Sequence, residues 1–458
     1  MIQQFFGRRE ELAFLEKQYQ ADTPSLVILY GRRRVGKTEL IKQFLKNKPN
    51  TYYMFDEQPE EVNIKALHEK TARNLKNDLF SQIQIQNWYQ FFENLCKLKK
   101  KKEKFVLALD EFPYIIKSNN AIPSIFQKIW DEILKNENIM LILCGSSIAM
   151  MEQELLAHKS PLYGRRTGQW KVEPFTFEQS HAFLEKSDIQ ASIQLYGLAD
   201  GIPLYLKKLH PETSIKENIL KNIAQRGEFL YEEAEFLLKQ EFREPGNYFL
   251  IVKAIALGKT KFGDIVNFTN LDKTICSKYL DNLIKIRVIE KKQPVPSKGE
   301  KTRYNRYYIT DHYLKFWFSI IYPNKSLIEE GALTFGHIQQ PFLIHTSFVF
   351  EDICKQIVKK LYPTMNKIGK WWEKEQEIDL VGLNNQTKEI LFIEIKYKDS
   401  VDAHKLLTQL EEKSKYVQWN NQTRTQKHIV FAKSFKNKTH NCYDLQDIEK
   451  ILKKRKLK

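Results

Sequence analysis

The run Gly31-Arg32-Arg33-Arg34-Val35-Gly36-Lys37-Thr38 has the spacing G-x-x-x-x-G-K-T and lies between the apolar stretch Leu26 to Tyr30 and the helical pattern Glu39 to Leu45. A strand, a glycine loop and a helix in that order can hold a phosphate, because backbone N–H groups wrap its oxygens and the helix N-terminus favours negative charge. The run therefore predicts an α/β domain with a nucleotide, ATP, bound at the edge of a parallel sheet. In that reading Lys37 reaches the β- and γ-phosphates, and Thr38 offers its hydroxyl to Mg²⁺.

Such a loop needs a carboxylate for the metal and a second one for water, both at the end of a neighbouring buried strand. Phe105 to Leu109 are apolar without alternation and run into Asp110-Glu111, which reads as a strand covered on both faces. Asp110 is the expected Mg²⁺ carboxylate and Glu111 the base that orients the attacking water. The next apolar stretch, Ile139 to Cys144, ends in Gly145-Ser146-Ser147, and places the Ser146 hydroxyl where it can sense the γ-phosphate.

With these stretches the chain resembles the archaeal-type ATPases of the STAND group, AAA-related P-loop proteins with a polar sensor after the strand that follows the Asp-Glu strand. Phe6-Gly7-Arg8-Arg9-Glu10-Glu11-Leu12 is similar to the segment that lies near the adenine in such proteins. Leu162-Tyr163-Gly164-Arg165-Arg166 is similar to their Arg-bearing segment, and Gly201-Ile202-Pro203 to the turn of their small helical lid. The resemblance implies that Arg165 and Arg166 serve the nucleotide, completing a neighbour's site if copies assemble as a homo-oligomer. A solvated basic turn accounts for the same two residues.

The chain has 458 residues, too many for one core, which suggests several domains. Its 73 Lys and Arg outnumber 56 Asp and Glu, giving a formal charge of +17 and a pI near 9.3. That balance attracts polyanions, and DNA is the expected partner. Local basic runs, Lys99 to Lys102 and Lys453-Lys454-Arg455-Lys456, read as solvated faces or tails. The five cysteines are widely spaced without a C-x-x-C pair, so neither a zinc knuckle nor a disulfide framework is indicated. No leader and no apolar run near the ~20 residues of a membrane span are present, so a cytoplasmic protein without a membrane partner is expected.

Helices follow from Pro174 to Glu241, and Glu244-Pro245-Gly246 marks a boundary. Three helical stretches then lead to a hairpin: Tyr248 to Leu257, Lys261 to Val266 and Asp272 to Arg287, followed by Val288-Ile289-Glu290 and Tyr304 to Ile309. This is the winged-helix pattern, whose third helix can enter the DNA major groove. That third helix is expected to bury Ile275, Tyr279 or Leu280, and Leu283.

Toward the end, Glu377-Ile378-Asp379-Leu380-Val381 and Ile390 to Lys396 read as adjacent strands joined by the turn-rich Asn384 to Lys388. Alternation puts Glu394 and Lys396 on one face of their strand, with Asp379 on the neighbour. Charges there need a partner or a metal. Two carboxylates can hold a divalent metal while Lys396 orients an attacking hydroxide, a set suited to phosphodiester cleavage. A plain salt bridge between Glu394 and Lys396 or Lys398 is the structural alternative. About Phe348 to Val430 resembles the PD-(D/E)XK nuclease superfamily. The resemblance implies that Glu351 is a helical acid of the metal site, that Gln409 faces substrate, and that Gly369-Lys370-Trp371-Trp372 leads into the first strand. No Pro precedes Asp379, and Glu377 stands two residues before it.

The expected architecture is thus a P-loop ATPase core (1–180), a helical lid (181–244), a winged helix (245–315) and a C-terminal α/β nuclease-like domain (316–458). The expected function is an ATP-hydrolysing, DNA-associated protein with an Mg²⁺-dependent endonuclease-like domain. The alternatives are a regulatory ATPase switch whose C-terminal domain binds nucleic acid or protein without cleaving it, and an ATP-driven remodeller of protein.

Overall fold

The computed structural model describes residues 5–100, 103–185, 187–242, 244–297 and 304–453. Lys101, Lys102 and the basic run from Lys454 lie outside them. The chain divides into two compact units, Met1–Pro174 and Phe175–Lys458.

The first unit is built on five strands, β1 (Ser25–Tyr30), β2 (Asn50–Met54), β3 (Phe105–Asp110), β4 (Ile139–Gly145) and β5 (Gly168–Lys171). Their order is β2-β3-β4-β1-β5, and every pairing is parallel. Every residue of β1, β3 and β4 is buried, as continuous apolar runs require when helices cover both faces. Alternate residues feed two cores: Leu26, Ile28, Leu107 and Leu109 join one with Phe112 and Phe126, while Val27, Leu29, Val106 and Ala108 join the other with Leu40 and Ile41.

One expectation about this sheet is corrected. The Asp110 strand does not neighbour the loop strand, because β4 lies between them. The helix Lys37–Leu45 links β1 to β2, which sits beyond both β4 and β3 in the sheet. Its first turn therefore starts across the carboxyl ends of the intervening strands. Ligands of open α/β sheets bind at that edge. The register aligns it, with Tyr30 opposite Gly145 and Leu109 opposite Leu143.

The second unit begins with helices, among them Phe177–Phe183, Ile189–Ala199 and Phe229–Glu241. The turn at Gly201 is glycine by necessity: φ is +67°, and a Cβ there would meet the Phe175 carbonyl oxygen at 2.0 Å. Three helices follow, Gly246–Ala256, Phe262–Thr269 and Lys273–Lys285, then an antiparallel ribbon of β6 (Ile289–Lys292) and β7 (Arg306–Ile309). The third helix buries Cys276, Leu280 and Leu283, while Ile275 is 47% exposed, against expectation. Leu280 and Leu283 fix the buried face, and the residue four and seven positions before them is Cys276.

The 27-residue helix Phe335–Leu361 leads into β8 (Lys367–Glu373), β9 (Gln376–Asn384) and β10 (Glu389–Lys396). A short pair of β11 (Val401–Asp402) with β13 (Phe435–Asn437) flanks the helix Ala403–Ser414. With β12 (Thr425–Ala432) and β14 (Cys442–Tyr443) the main sheet has the order β14-β12-β10-β9-β8, antiparallel on the β8 side of β10 and parallel on the other. One core joins Phe177, Ile193 and Tyr196 from the early helices to Val349, Ile353, Ile393 and Phe431.

Candidate nucleotide site and carboxylate fork

The glycine loop leaves β1 through Gly31, whose φ is +155° and whose missing Cβ would lie 2.3 Å from the Val172 carbonyl oxygen. Gly36, at φ +91°, caps the helix Lys37–Leu45 and has open space where a Cβ would point. Arg8 braces the loop from outside: its guanidinium donates to the carbonyls of Val35 (2.7 Å) and Glu173 (2.8 Å) and pairs with Glu11 (2.8 Å). Arg33 reaches the Tyr114 hydroxyl at 3.4 Å. Lys37 is buried, and its ammonium donates to the carbonyls of Gly31 and Arg32, both at 2.9 Å.

Across the edge of the sheet, Asp110 is 1% exposed. Its Oδ2 accepts from the Thr38 hydroxyl at 2.7 Å and from the Tyr52 hydroxyl at 2.8 Å, and its Oδ1 from the Glu111 N–H at 2.9 Å. Burial, and then the Asp110 charge, push the Tyr52 phenol far above its ordinary value. Glu111 takes a left-handed backbone (φ 51°, ψ 41°) at the start of the helix Phe112–Ser118. Non-glycine residues held there are uncommon and gather at functional sites. Its carboxylate accepts from the Ser146 hydroxyl at 2.8 Å and the Ser146 N–H at 3.3 Å. Thr38, Asp110, Glu111 and Ser146 are thus brought together.

The fit to a hard divalent cation can be judged from the donors. A hydroxyl and a carboxylate already in contact are the oxygen pair that Mg²⁺ uses alongside nucleotide phosphates and water. Among the described residues no three of His, Cys, Asp or Glu are grouped to hold a metal alone. Tyr52 was missed in the sequence, where an aromatic residue in a short strand gives no sign that its hydroxyl meets a carboxylate.

The two arginines are engaged elsewhere. Arg165 grips Asp131 (Nη2 to Oδ2 3.0 Å) and donates to the Pro161 carbonyl at 3.3 Å. Arg166 stacks over the Tyr163 ring, 4.5 Å from its centroid, and donates to the Tyr163 carbonyl at 2.9 Å.

In the second unit, β9 and β10 pair regularly as far as Leu380 and Ile393. Beyond that pair the Asp379 carboxylate takes over, accepting the Ile395 N–H at 2.8 Å. The strands so capped form a fork. Lys396 spans it, with its ammonium 2.7 Å from Glu394 and 3.4 Å from Asp379. Burial alone would lower the Lys396 ammonium, yet the charges of Asp379 and Glu394 hold it above its usual value. Lys413, from the helix Ala403–Ser414, adds contacts of 3.0 and 3.2 Å to Glu394, which is 5% exposed. Lys413 was also missed, although it lies one turn beyond Gln409, itself exposed.

Glu351 stands beside the fork without joining it as a third acid. Its carboxylate is paired with Lys370 at 2.5 Å, and no three acidic, His or Cys side chains are grouped for a metal among the described residues. Burial raises the Glu351 carboxyl, Lys370 opposes this, and Asp379 adds to it. Glu377 is held by Arg306 at 3.0 Å and Lys370 at 3.6 Å. Lys315, from the helix His312–Phe316, is brought down to about 7 by burial, with Lys370 and Lys292 pushing the same way against Glu351.

Residues 5–209 match a family described as an ATPase domain predominantly from Archaea, and residues 317–408 a family of archaeal and bacterial proteins of unknown function. An uncharacterized protein of Methanocaldococcus jannaschii, MJECL04, is 36% identical over 421 residues, covering 90% of this chain and 92% of its own. The uncharacterized ATP-binding protein MJ0423 of the same organism is 60% identical over 47 residues, 10% of this chain and 80% of its own. The Walker-type ATPase PABY2304 of Pyrococcus abyssi shares the fold, with a TM-score of 0.50 and 22% identity over 69% of this chain and 96% of its own. The chain belongs to the archaeal-type P-loop ATPases, ATP-hydrolysing proteins that here carry the C-terminal domain of unknown function.

Proposed function

We propose that this ATPase is coupled to a nucleic-acid-processing domain whose carboxylate fork, Asp379 and Glu394 with Lys396, cleaves phosphodiesters with a divalent metal. The observation that carries this reading is the single ammonium of Lys396 touching both carboxylates. A metal bound there would supply an activated hydroxide and a charge clamp for the departing oxygen. Asp379 and Glu394 would hold it, while Lys396 orients the water and steadies the anionic phosphate.

At the nucleotide, the loop Gly31 to Thr38 wraps the phosphates, and Lys37 leaves its two carbonyl partners to meet the β- and γ-oxygens. Thr38 and Asp110 serve Mg²⁺, Glu111 takes a proton from the attacking water, and Ser146 reports on the γ-phosphate through its bond to Glu111. The stretch 181–244 acts as lid, and 245–315 as a winged helix. The latter's third helix presents Lys273, Thr274, Ile275, Ser277 and Lys278, all exposed, to DNA. The basic balance of +17 favours that partner, and a cytoplasmic location suits it. Described residues include no helix long and apolar enough to cross a membrane.

A regulatory reading, binding without cleavage, is favoured by one observation: Glu394 already has two ammonium partners, and Glu351 a third lysine. The discriminating experiment incubates labelled single-stranded, duplex and branched DNA with wild type and Lys396→Ala, with and without ATP, Mg²⁺ and Mn²⁺. Cleavage lost in Lys396→Ala supports the nuclease. Intact DNA of every form with wild type ends that half of the proposal.

A further inference from the structure

Phe348 lies three residues before Glu351 on the helix Phe335–Leu361, so the two share a helix face beside the fork. An aromatic residue on that face would ordinarily be buried. Instead Phe348 is 38% exposed, with Ile344 exposed one turn earlier. Two lysine side chains approach its ring: Lys315 Nζ, which an incoming phosphate would draw toward its charged form, is 3.2 Å from the centroid, and Lys370 Nζ is 5.9 Å away. Lys370 also bonds Glu351 and acts electrostatically on Asp379, so the ring and the fork share a boundary residue. Lys292 on the ribbon also acts electrostatically on Lys315.

An accessible aromatic ring bordered by ammonium groups is what a protein uses to hold an unpaired nucleotide, since the base stacks on the ring while the cations take the flanking phosphates. An apolar peptide would use the same patch but would bring no anion to Lys315 and Lys370. We propose that Phe348, with Lys315 and Lys370, is a stacking subsite for an unpaired nucleotide next to the Asp379–Glu394–Lys396 fork. The substrate class is then a strand with unstacked bases, such as single-stranded or branched DNA. This rests on the nucleic-acid reading of the C-terminal domain.

The test measures binding of the full-length protein to two fluorescein-labelled 20-nucleotide strands, one with bases and one abasic throughout. Both carry the same phosphates, and binding is read in Ca²⁺ to avoid turnover. Wild type is expected to prefer the base-bearing strand by about tenfold, the scale of one base–aromatic stack. Phe348→Ala should remove that preference and leave abasic binding unchanged, and Phe348→Trp should keep it. ATP hydrolysis serves as the control for folding. Equal affinity of wild type for both strands, or a preference that survives in Phe348→Ala, overturns the subsite. Binding of neither strand overturns it as well, and leaves the patch to a protein partner. Cleavage assayed in parallel with Mn²⁺ separates the two readings. Cleavage with no stacking preference refutes the subsite alone, whereas a Phe348-dependent preference without cleavage refutes the nuclease and keeps the subsite.

Discussion

Lys413→Met would show whether the fork holds a metal or a salt bridge. The substitution removes one of the two ammonium groups on a nearly buried carboxylate and keeps most of the apolar stem. A hydrogen bond to a charged group contributes about 1.5–3 kcal/mol. Lys413 is about a third open to solvent and Lys396 remains on Glu394, so the lower end applies, about 1.5 kcal/mol. For a large unit, that lowers the melting temperature by roughly 3 °C. The sign then depends on what Glu394 is for. If it is a metal ligand, Lys413 competes with the cation, and removing it strengthens metal binding. A ligand at roughly ten times its dissociation constant returns about 1.4 kcal/mol, nearly all of the loss.

The assay is thermal denaturation of the full chain without nucleotide, in EDTA and across a Mg²⁺ and Mn²⁺ titration, for wild type, Lys413→Met and Lys413→Met with Glu394→Gln. The expected result is a metal-dependent recovery in the single variant, at lower metal concentration than any shift in wild type, and none in the double variant. A single variant that stays about 3 °C below wild type at every metal concentration refutes the reasoning, and the lysines are then structural partners.

Glu111→Gln should still bind ATP while hydrolysing it about 10²–10⁴ times more slowly, the usual weight of a general base; an unchanged turnover rate would remove Glu111 from that role. Tyr52→Phe deletes a donor to the buried Asp110 carboxylate. A cation on Asp110 then no longer has that hydroxyl to displace, and about 1.4 kcal/mol less competition should lower the Mg²⁺ half-saturation of ATP hydrolysis roughly tenfold with a smaller change in kcat; an unaltered Mg²⁺ curve would contradict it. His345 is held down to about 3, by burial first, with His312 and Lys315 adding to it and the Gly197 carbonyl opposing. Its folded value lies below the unfolded value of about 6.5, so its neutral form stabilises the fold above that pH. That contribution is lost as pH falls from about 6.5 toward 3, at up to about 1.4 kcal/mol per unit. Denaturant midpoints for wild type and His345→Gln between pH 7 and 4 should diverge in slope, wild type being the steeper.

The features read correctly from the sequence share one property: each is local. The loop Gly31 to Thr38 combines a strand, two glycines and a helix start within a few residues, and the runs into Asp110 and Ser146 announce buried parallel strands by lacking alternation. The Asp379 and Glu394–Lys396 pattern likewise depends only on two strands joined by a turn. What escaped notice depends on which elements meet. Tyr52 touches Asp110, 58 residues on, because β2 ends up beside β3. Lys413 reaches Glu394 because its helix folds back over β10, and Lys370 meets Glu351 across a strand and a helix. Period alone also put Ile275 on the buried face of the third helix and left Tyr279 and Leu280 open, whereas packing selects Cys276 with Leu280 and Leu283.

Both sites share a physical constraint that bears on how they work. A buried charge without a partner costs several kcal/mol, so neither site leaves one bare. Lys37 rests on two carbonyls of its own loop, Asp110 on two hydroxyls, and Glu394 on two ammonium groups. Any ligand must therefore exchange with these internal partners, and its affinity is the difference between new contacts and old ones. A lone divalent cation offers only a small surplus against two lysines. A cation arriving with a phosphate offers more, because the displaced ammonium groups gain an anion in place of the carboxylate they leave. If the proposed reaction holds, metal and phosphate would therefore bind the fork cooperatively, and Lys396 and Lys413, which pair with Glu394, would turn to the substrate's phosphate.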